Sequence, residues 1–303
     1  MATREILGPD ISGKIALVTG SSRGIGRAVA QRLAVAGAAV VVTGRSSGQP
    51  AVGKRWGQDH VVPGTLEETV ALIEQAGGKA VSLAADLEDL DQVRNLVDRA
   101  AELAGGGIDI LVNNAGFVDF APVADMAFDT FERTLTHYVR APFLLSQAAV
   151  RHMREAGAGW IVNVSSQDAL PPSRPYPDHE KVRGYHVYAA AKAALNRLTQ
   201  GMAAELVDEN IAVNVIGPST AIRTPGADAL IPAEFPTEDV EYLAEAVLAM
   251  CHLPAAERTG LIGYSMHIPW HYGIPVRSLD GKTELPRRAP PAWSHPAIAA
   301  SGE

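Results

Sequence analysis

The sequence lacks the features of a secreted or membrane-bound protein. Its 303 residues include a single cysteine, Cys251, so no disulfide can form within the chain, as is usual in a reducing cytoplasm. No window approaches the ~18 apolar residues that span a bilayer. The N-terminal segment MATREILGPDISGK has no apolar run of signal-peptide length. These absences predict a soluble protein of the cytoplasm without a membrane partner.

A basic excess is absent as well. The formal net charge is −8 and charged residues make up 20% of the chain, whereas nucleic-acid-binding proteins normally carry clustered lysine and arginine. Nine histidines are present, and the closest pairs are His179 with His186 and His267 with His271. Pro269 inside the second pair argues against a regular helix that would hold two metal ligands. We therefore predict no nucleic-acid partner and no metal.

The chain contains a regular alternation of short β-branched runs with longer helical segments rich in alanine and leucine. With 47% hydrophobic residues it can bury a large core. Apolar strands separated by helices indicate a doubly wound α/β fold: one domain over 1–303, with a parallel sheet of about seven strands and helices on both faces. Predicted strands cover 15–19, 39–43, 79–84, 108–113, 160–165, 211–216 and 260–265; predicted helices include 24–36, about 126–154 and 237–251.

Three stretches interrupt this alternation, and the regular core covers about 12–265. The first is a loop over 44–64, rich in glycine, proline and serine, and the second is a proline-rich insertion over 171–184. The third is a C-terminal extension over 266–303, which we expect to pack over the domain or a neighbouring subunit, with its last residues frayed.

The segment TGSSRGIG (19–26) lies between the first predicted strand and the first predicted helix. Gly20, Gly24 and Gly26 would let the backbone turn tightly and approach a pyrophosphate, which a helix N-terminus attracts. The strand before the motif and the helix after it are the context that a dinucleotide site requires. The alternative is a plain glycine-rich turn.

The end of the second strand indicates which dinucleotide binds. A site for NAD places a carboxylate there to bind the ribose 2′-hydroxyl, but this chain has Gly44 followed by Arg45. A guanidinium suits a 2′-phosphate, and Arg23 in the glycine loop could reach the same group. We predict NADP(H) in preference to NAD(H); the alternative is that both arginines are simply solvated.

The segment YHVYAAAK (185–192) contains two tyrosines and one lysine. In a helix, Tyr188 and Lys192 lie one turn apart on one face. Tyr185 has Ala189 four residues later, so it lacks such a partner, and we expect it in a wall or a substrate contact. A free tyrosine titrates near pH ~10, and a neighbouring ammonium favours the phenolate.

Taken together and in this order, these segments resemble the short-chain dehydrogenase/reductase superfamily. The motifs are TGSSRGIG, Asp86–Leu87, NNAG (113–116), Ser166 after IVNVS, YAAAK, and VNVIGPS (213–219). The resemblance implies a Rossmann-like fold and the catalytic set Ser166, Tyr188 and Lys192, with Tyr188 as general acid or base. It implies cofactor contacts from Gly20, Ser22, Arg23, Gly24, Ile25, Gly26, Arg45, Asp86, Leu87, Asn113, Ala115, Gly116, Tyr188, Lys192, Pro218 and Thr220.

The chain departs from the family pattern in several places. Tyr138 stands where the family usually has an asparagine that supports a proton relay to the lysine, and Ser219 replaces a common glycine. The 171–184 insertion lengthens the interval between Ser166 and Tyr188 and should lie at the mouth of the active site. The 44–64 loop and the segment IAVNVIGPSTAIRTPGADAL (211–230) are similar to the hydroxysteroid dehydrogenase-like branch, which does not assign a substrate.

The expected function is NADP(H)-dependent interconversion of a small-molecule ketone or aldehyde and the corresponding alcohol. Tyr138 and the insertion leave open a catalytically weak or inactive nucleotide-binding regulatory protein. A dehydratase or epimerase with transient hydride transfer is the other alternative. The family resemblance also implies a homodimer or homotetramer, formed through the 126–154 helix and the tyrosine helix.

Overall fold

A computed structural model of the chain describes residues 8–55, 58–228 and 231–303. Its seven-stranded sheet is parallel throughout and has the order β5-β2-β1-β6-β7-β8-β9. The strands are β1 Ile15–Thr19, β2 Ala39–Gly44, β3 Ala51–Arg55, β4 Gln58–Val62, β5 Lys79–Ala84, β6 Ile110–Asn113, β7 Gly159–Val164, β8 Ile211–Gly217 and β9 Ile262–Tyr264. The helices are α1 Gly24–Val35, α2 Leu66–Gln75, α3 Leu90–Ala104, α4 Phe128–Leu135, α5 Ala141–Ala156, α6 Asp178–Val182, α7 His186–Leu206, α8 Val240–Ala249 and α9 His267–Tyr272.

Helices cover both faces of the sheet because alternate strand residues point to opposite sides. Ala16 and Val18 of β1 belong to a core shared with α1 and α8. Leu17, between them, belongs to a second core shared with α3, α5 and the end of α7. β7 and β8 are buried along their whole length, as expected of central parallel strands. The predicted doubly wound, Rossmann-like sheet of seven parallel strands is confirmed.

A buried ion pair joins two helices on one face of the sheet. Arg32 of α1 donates to both carboxylate oxygens of Glu245 of α8, at 2.6 and 3.2 Å, and both side chains are almost fully buried. Burial raises the pKa of Glu245, while the hydrogen bond from Arg32 and the guanidinium charge lower it. Each charge depends on the other, because an unpaired charge in this core would be costly.

The long helix predicted over 126–154 is interrupted. A π-helical turn, Thr136–Arg140, separates α4 from α5. Pro142 has no backbone N–H, so the Tyr138 carbonyl lacks the donor that would continue a regular helix. The π-helical turn carries Tyr138 and buries its side chain.

The irregular segments hold more structure than predicted. The 44–64 loop contains an antiparallel hairpin, in which β3 pairs with β4. The last strand and the late helix are shorter than predicted, and α9 includes Pro269 in its first turn, where proline is tolerated.

The tail is not frayed at Gly302: this residue is buried, and its carbonyl accepts a 2.8 Å hydrogen bond from the N–H of Ile262 in β9. None of the described helices is both long and apolar enough to cross a bilayer.

Candidate active site

A cavity of about 1030 Å³ opens at the carboxyl ends of the parallel strands, where ligands bind in open α/β sheets. Its volume lies at the upper end of the range for ligand pockets, which suits a ligand as large as a dinucleotide. Asp86 and Asn113 do not line it. Asp86 accepts from the N–H of Glu88, and Asn113 donates to Asn163 in the core. The other predicted residues line it: Gly20, Ser22, Arg23, Gly24, Ile25, Gly26, Arg45, Leu87, Ala115, Gly116, Ser166, Tyr188, Lys192, Pro218 and Thr220.

The glycine loop forms a close-fitting turn between β1 and α1. Gly20 and Gly24 have φ of +66° and +54°, a region that favours glycine. A Cβ on Gly26 would lie 2.4 Å from the Gly20 carbonyl oxygen and from Asn114 Nδ2. Asn114 fixes the loop by donating to the Thr19 and Gly20 carbonyls at 2.8 and 3.2 Å. The loop and the N-terminus of α1 therefore fit a pyrophosphate, and sequence reasoning had missed Asn114 although it lies within NNAG.

Three arginines gather beside the end of β2. Arg23 Nη1 donates to the carbonyls of Val62, Pro63 and Gly64, at 2.5, 3.2 and 3.3 Å. Burial lowers the pKa of Arg23, and the nearby charges of Arg45 and Arg27 lower it further. Arg45 is exposed where it lines the cavity. Arg27 pairs with Glu68 at 2.7 Å, so Arg23 and Arg45 supply the positive charge that suits an anionic group such as a 2′-phosphate.

Ser166 and Tyr188 come together at the end of β7. Ser166 Oγ accepts a 3.1 Å hydrogen bond from the N–H of Asp168, which fixes the hydroxyl in the first turn after the strand. Burial and the Asp168 carboxylate raise the pKa of Tyr188, whereas its hydrogen bond with Ser166 and the charge of Arg183 lower it. The net effect keeps the Tyr188 phenol protonated at neutral pH.

Lys192 lies one turn further along α7, under the cavity floor. Its Nζ donates to the Val164 carbonyl at 2.7 Å and lies 3.9 Å from the ring centroid of Tyr138 and 5.7 Å from that of Tyr188. Burial lowers the pKa of Lys192 to about 7. The Tyr138 hydroxyl donates to the Phe117 carbonyl. Tyr138 therefore holds Lys192 with its ring face, where the family pattern has an amide.

The 171–184 insertion connects to the cavity through ionic contacts. Arg183 donates to both carboxylate oxygens of Asp168 at 3.1 Å, and its guanidinium lies 3.5 Å from Glu180. The Tyr185 hydroxyl donates to Glu180, and burial raises the pKa of that phenol. Asp168 is therefore a partner of the insertion, and Tyr185 lies in the cavity wall.

A buried carboxylate, Glu238, binds the start of the segment that follows β8, whose described residues 219–228 and 231–236 we call the lid. Glu238 Oε1 accepts from the Ser219 N–H at 3.2 Å and from the Ser265 hydroxyl, and its Oε2 accepts from the Thr220 hydroxyl at 3.3 Å. Burial raises the pKa of Glu238 to about 7, against the lowering effect of these hydrogen bonds. Sequence reasoning missed Glu238, because nothing near it in the chain marks it as buried.

In the described part of the chain, no three or more His, Cys, Asp or Glu side chains gather in a way that could hold a metal ion. His267 Nδ1 instead lies 2.9 Å from the Ser219 hydroxyl. Burial raises the pKa of the Cys251 thiol, which keeps it protonated and unreactive.

This combination of sheet, glycine loop and Ser–Tyr–Lys arrangement is found in one class of oxidoreductase. The family model described as "short chain dehydrogenase" matches residues 14–233. The chain belongs to the short-chain dehydrogenase family and is an NAD(P)-dependent oxidoreductase that acts on CH–OH groups. The family assignment made from the motifs is confirmed.

Individual relatives agree with this assignment. The 2-dehydro-3-deoxy-D-gluconate 5-dehydrogenase of Formosa agariphila is 37% identical over 210 residues, which are 69% of this chain and 70% of that protein. Hydroxysteroid dehydrogenase-like protein 2 of Danio rerio is 30% identical over 291 residues, covering 90% of this chain and 66% of that protein. A crystal structure of a short chain dehydrogenase from Burkholderia cenocepacia in complex with NADP has a TM-score of 0.67 and 35% identity, and the match covers 84% of this chain and 96% of that one.

Proposed function

We propose that this protein is an NADP(H)-dependent oxidoreductase that interconverts a ketone or aldehyde and its alcohol, with Tyr188 as general acid or base. The observation that carries the proposal is that Ser166, Tyr188 and Lys192 line the same cavity as the glycine loop. The bound nicotinamide would supply or accept the hydride.

Tyr188 and Ser166 act on the oxygen of the substrate. The raised pKa of Tyr188 keeps its proton available for a carbonyl oxygen that gains negative charge. Ser166 Oγ already accepts from the Asp168 N–H, so its own proton can be donated to the same oxygen and stabilise it.

Lys192 acts on the Tyr188 hydroxyl, and the arginines act on the cofactor. When charged, Lys192 favours the phenolate that remains after Tyr188 gives up its proton. The glycine loop and the N-terminus of α1 would hold the pyrophosphate, and Arg45 with Arg23 would hold a 2′-phosphate. The described end of β2 presents Gly44 and Arg45 instead of a carboxylate, which supports NADP(H) over NAD(H).

The test is to mix purified protein with NADPH and a panel of ketones and to follow loss of reduced-cofactor absorbance. We expect Tyr188→Phe to lower kcat by at least about 100-fold. Tyr185→Phe is the matched control, since it removes a hydroxyl from the same wall, and it should stay within a few-fold of the wild type. Equal turnover by Tyr188→Phe and the wild type would contradict the proposal.

Two alternatives give other outcomes in the same experiment. A nucleotide-binding regulatory protein would bind NADPH tightly without oxidising it on any ketone; the contact between Lys192 and Tyr138 is the departure that favours it. A dehydratase or epimerase would form product without net loss of NADPH. The homodimer or homotetramer and the cytoplasmic location stay predictions; light scattering on the purified protein tests the first.

A further inference from the structure

The outer part of the cavity is built by segments that lie outside the regular β-α alternation. The ring of Phe235, in the lid, packs edge-on against Trp293 of the C-terminal extension, with centroids 5.6 Å apart and planes at 79°. His295 Nε2 lies 3.1 Å from the Pro171 carbonyl oxygen of the insertion. The extension therefore contacts both the lid and the insertion, and Trp293 and His295 form part of the cavity wall at this end.

This end of the cavity is aromatic, and part of it is exposed. Phe235 and Trp293 line the cavity yet keep 38% and 49% of their surface accessible. On the catalytic side, the ring of Phe120 lies edge-on to Tyr188, with centroids 5.7 Å apart. Aromatic rings pair well with other rings in edge-to-face or offset contacts, and a ligand body between Tyr188 and Trp293 would bury the exposed ring surface.

The aromatic rings at this end disfavour an anion. A carboxylate held against Phe235 and Trp293 would lose part of its hydration, which is costly unless a polar partner replaces the water. This cost selects against a ligand that carries a charge on its far end. Arg23 and Arg45 lie at the other end, beside β2.

We propose that the substrate is an uncharged ketone or secondary alcohol with a flat aromatic body, held at its far end by Trp293 and Phe235. This inference rests on the proposed oxidoreductase function and names the substrate class of the same cavity. Trp293 is then a specificity-determining residue. It acts on the body of the substrate and leaves the reacting oxygen to Ser166 and Tyr188.

The experiment compares three probes: 2-acetylnaphthalene, its carboxylated analogue 6-acetyl-2-naphthoic acid, and the small ketone 2-butanone. Binding is measured by calorimetry on the protein saturated with NADP⁺, and kcat/KM is measured with NADPH. For the wild type we expect 2-acetylnaphthalene to exceed both other probes by about tenfold or more in affinity and in kcat/KM, since burying an aromatic ring contributes on that scale.

The variants are Trp293→Ala and Phe235→Ala, with Trp270→Ala as the matched control. Trp270 is a tryptophan of the same extension with similar exposure, and it contacts Arg287 away from the cavity. We expect Trp293→Ala and Phe235→Ala to weaken 2-acetylnaphthalene binding about tenfold, with a smaller loss for 2-butanone and little change in NADP⁺ affinity. Trp270→Ala should match the wild type, and Phe235→Ala keeps the test valid if Trp293→Ala does not fold.

The outcomes separate this inference from the proposed function. If ketones are reduced but the carboxylated probe binds as well as 2-acetylnaphthalene, or both variants keep the wild-type preference, the substrate inference is wrong and the oxidoreductase proposal stands. If no ketone is reduced while 2-acetylnaphthalene binds tightly and depends on Trp293, the aromatic ligand class stands and the proposed reaction fails.

Discussion

The Lys192 ammonium lies 3.9 Å from the centroid of the Tyr138 ring, within the range of a cation–π contact. The contact favours the charged lysine, whereas burial lowers the pKa of Lys192 to about 7. Tyr138 can take this position because the π-helical turn Thr136–Arg140 carries it over Lys192. The protonation state of Lys192 near neutral pH therefore depends on an aromatic ring.

Replacing that ring should move the pH profile of the reaction. If Lys192 must be charged, kcat/KM for carbonyl reduction falls as pH rises through its pKa. Tyr138→Leu removes the cation–π contact and should shift this fall to lower pH by about half to one unit. Tyr138→Phe keeps the ring, loses only the hydrogen bond to the Phe117 carbonyl, and should keep the wild-type profile. A Tyr138→Leu profile that coincides with the wild type would show that the ring does not tune the lysine.

Cofactor preference should depend on Arg45. Arg45→Ala is expected to raise KM for NADPH by about 10-fold or more, the scale of a lost charged hydrogen bond, with little effect on KM for NADH. Steady-state kinetics with both cofactors measure the change in preference. Arg94→Ala is the control, because it removes one surface charge on α3 outside the cavity lining; a similar loss in both variants would mean that total charge, not a specific contact, sets the affinity.

The buried ion pair should matter for stability. Glu245→Ala removes a carboxylate to which the buried Arg32 guanidinium donates, which should lower the free energy of unfolding by about 3–5 kcal/mol. Urea denaturation measures this loss. Lys282→Ala disrupts an exposed pair with Asp280 and should cost less than about 1 kcal/mol. If Glu245→Ala and Lys282→Ala lowered the free energy of unfolding equally, the buried pair would stabilise the protein no more than the exposed pair does.

The lid carboxylate should make stability depend on pH. The pKa of Glu238 rises from its ordinary value of 4.5 to about 7 on folding, so between these values the folded protein binds more protons than the unfolded chain. Stability from this group is present below pH 4.5 and is lost as pH rises towards 7, by at most about 3 kcal/mol. Urea unfolding at several pH values should show this trend in the wild type relative to Glu238→Gln, which cannot titrate. If the free energy of unfolding changed with pH in the same way in the wild type and in Glu238→Gln, Glu238 would not be the source of the pH dependence.

The sequence predicts those parts of the site whose position follows from the order of the strands and helices. Gly20, Arg45, Ser166 and Pro218 each follow a strand of one parallel sheet, so their meeting at one edge follows from the fold. Tyr188 and Lys192 meet because they lie one helical turn apart. These relationships are local or follow from strand order, and both can be seen in a linear sequence.

The remaining features depend on contacts between distant segments. Trp293 reaches the lid only because the extension folds back, and no periodicity in that proline-rich tail indicates its target. The hairpin β3–β4 was missed because glycine and proline around it resemble a plain loop. The break between α4 and α5 has a local indication in the sequence, Pro142, which the prediction did not use.

The hydrogen bond from Ile262 to Gly302 lies at the outer margin of the sheet, since β9 is a terminal strand. At this point the chain's own last residues occupy the position that a strand from another molecule would need. If two copies associated by extending the sheet at β9, the residues around Gly302 would first have to leave the edge of this strand. Association through the helical surfaces would leave this hydrogen bond in place.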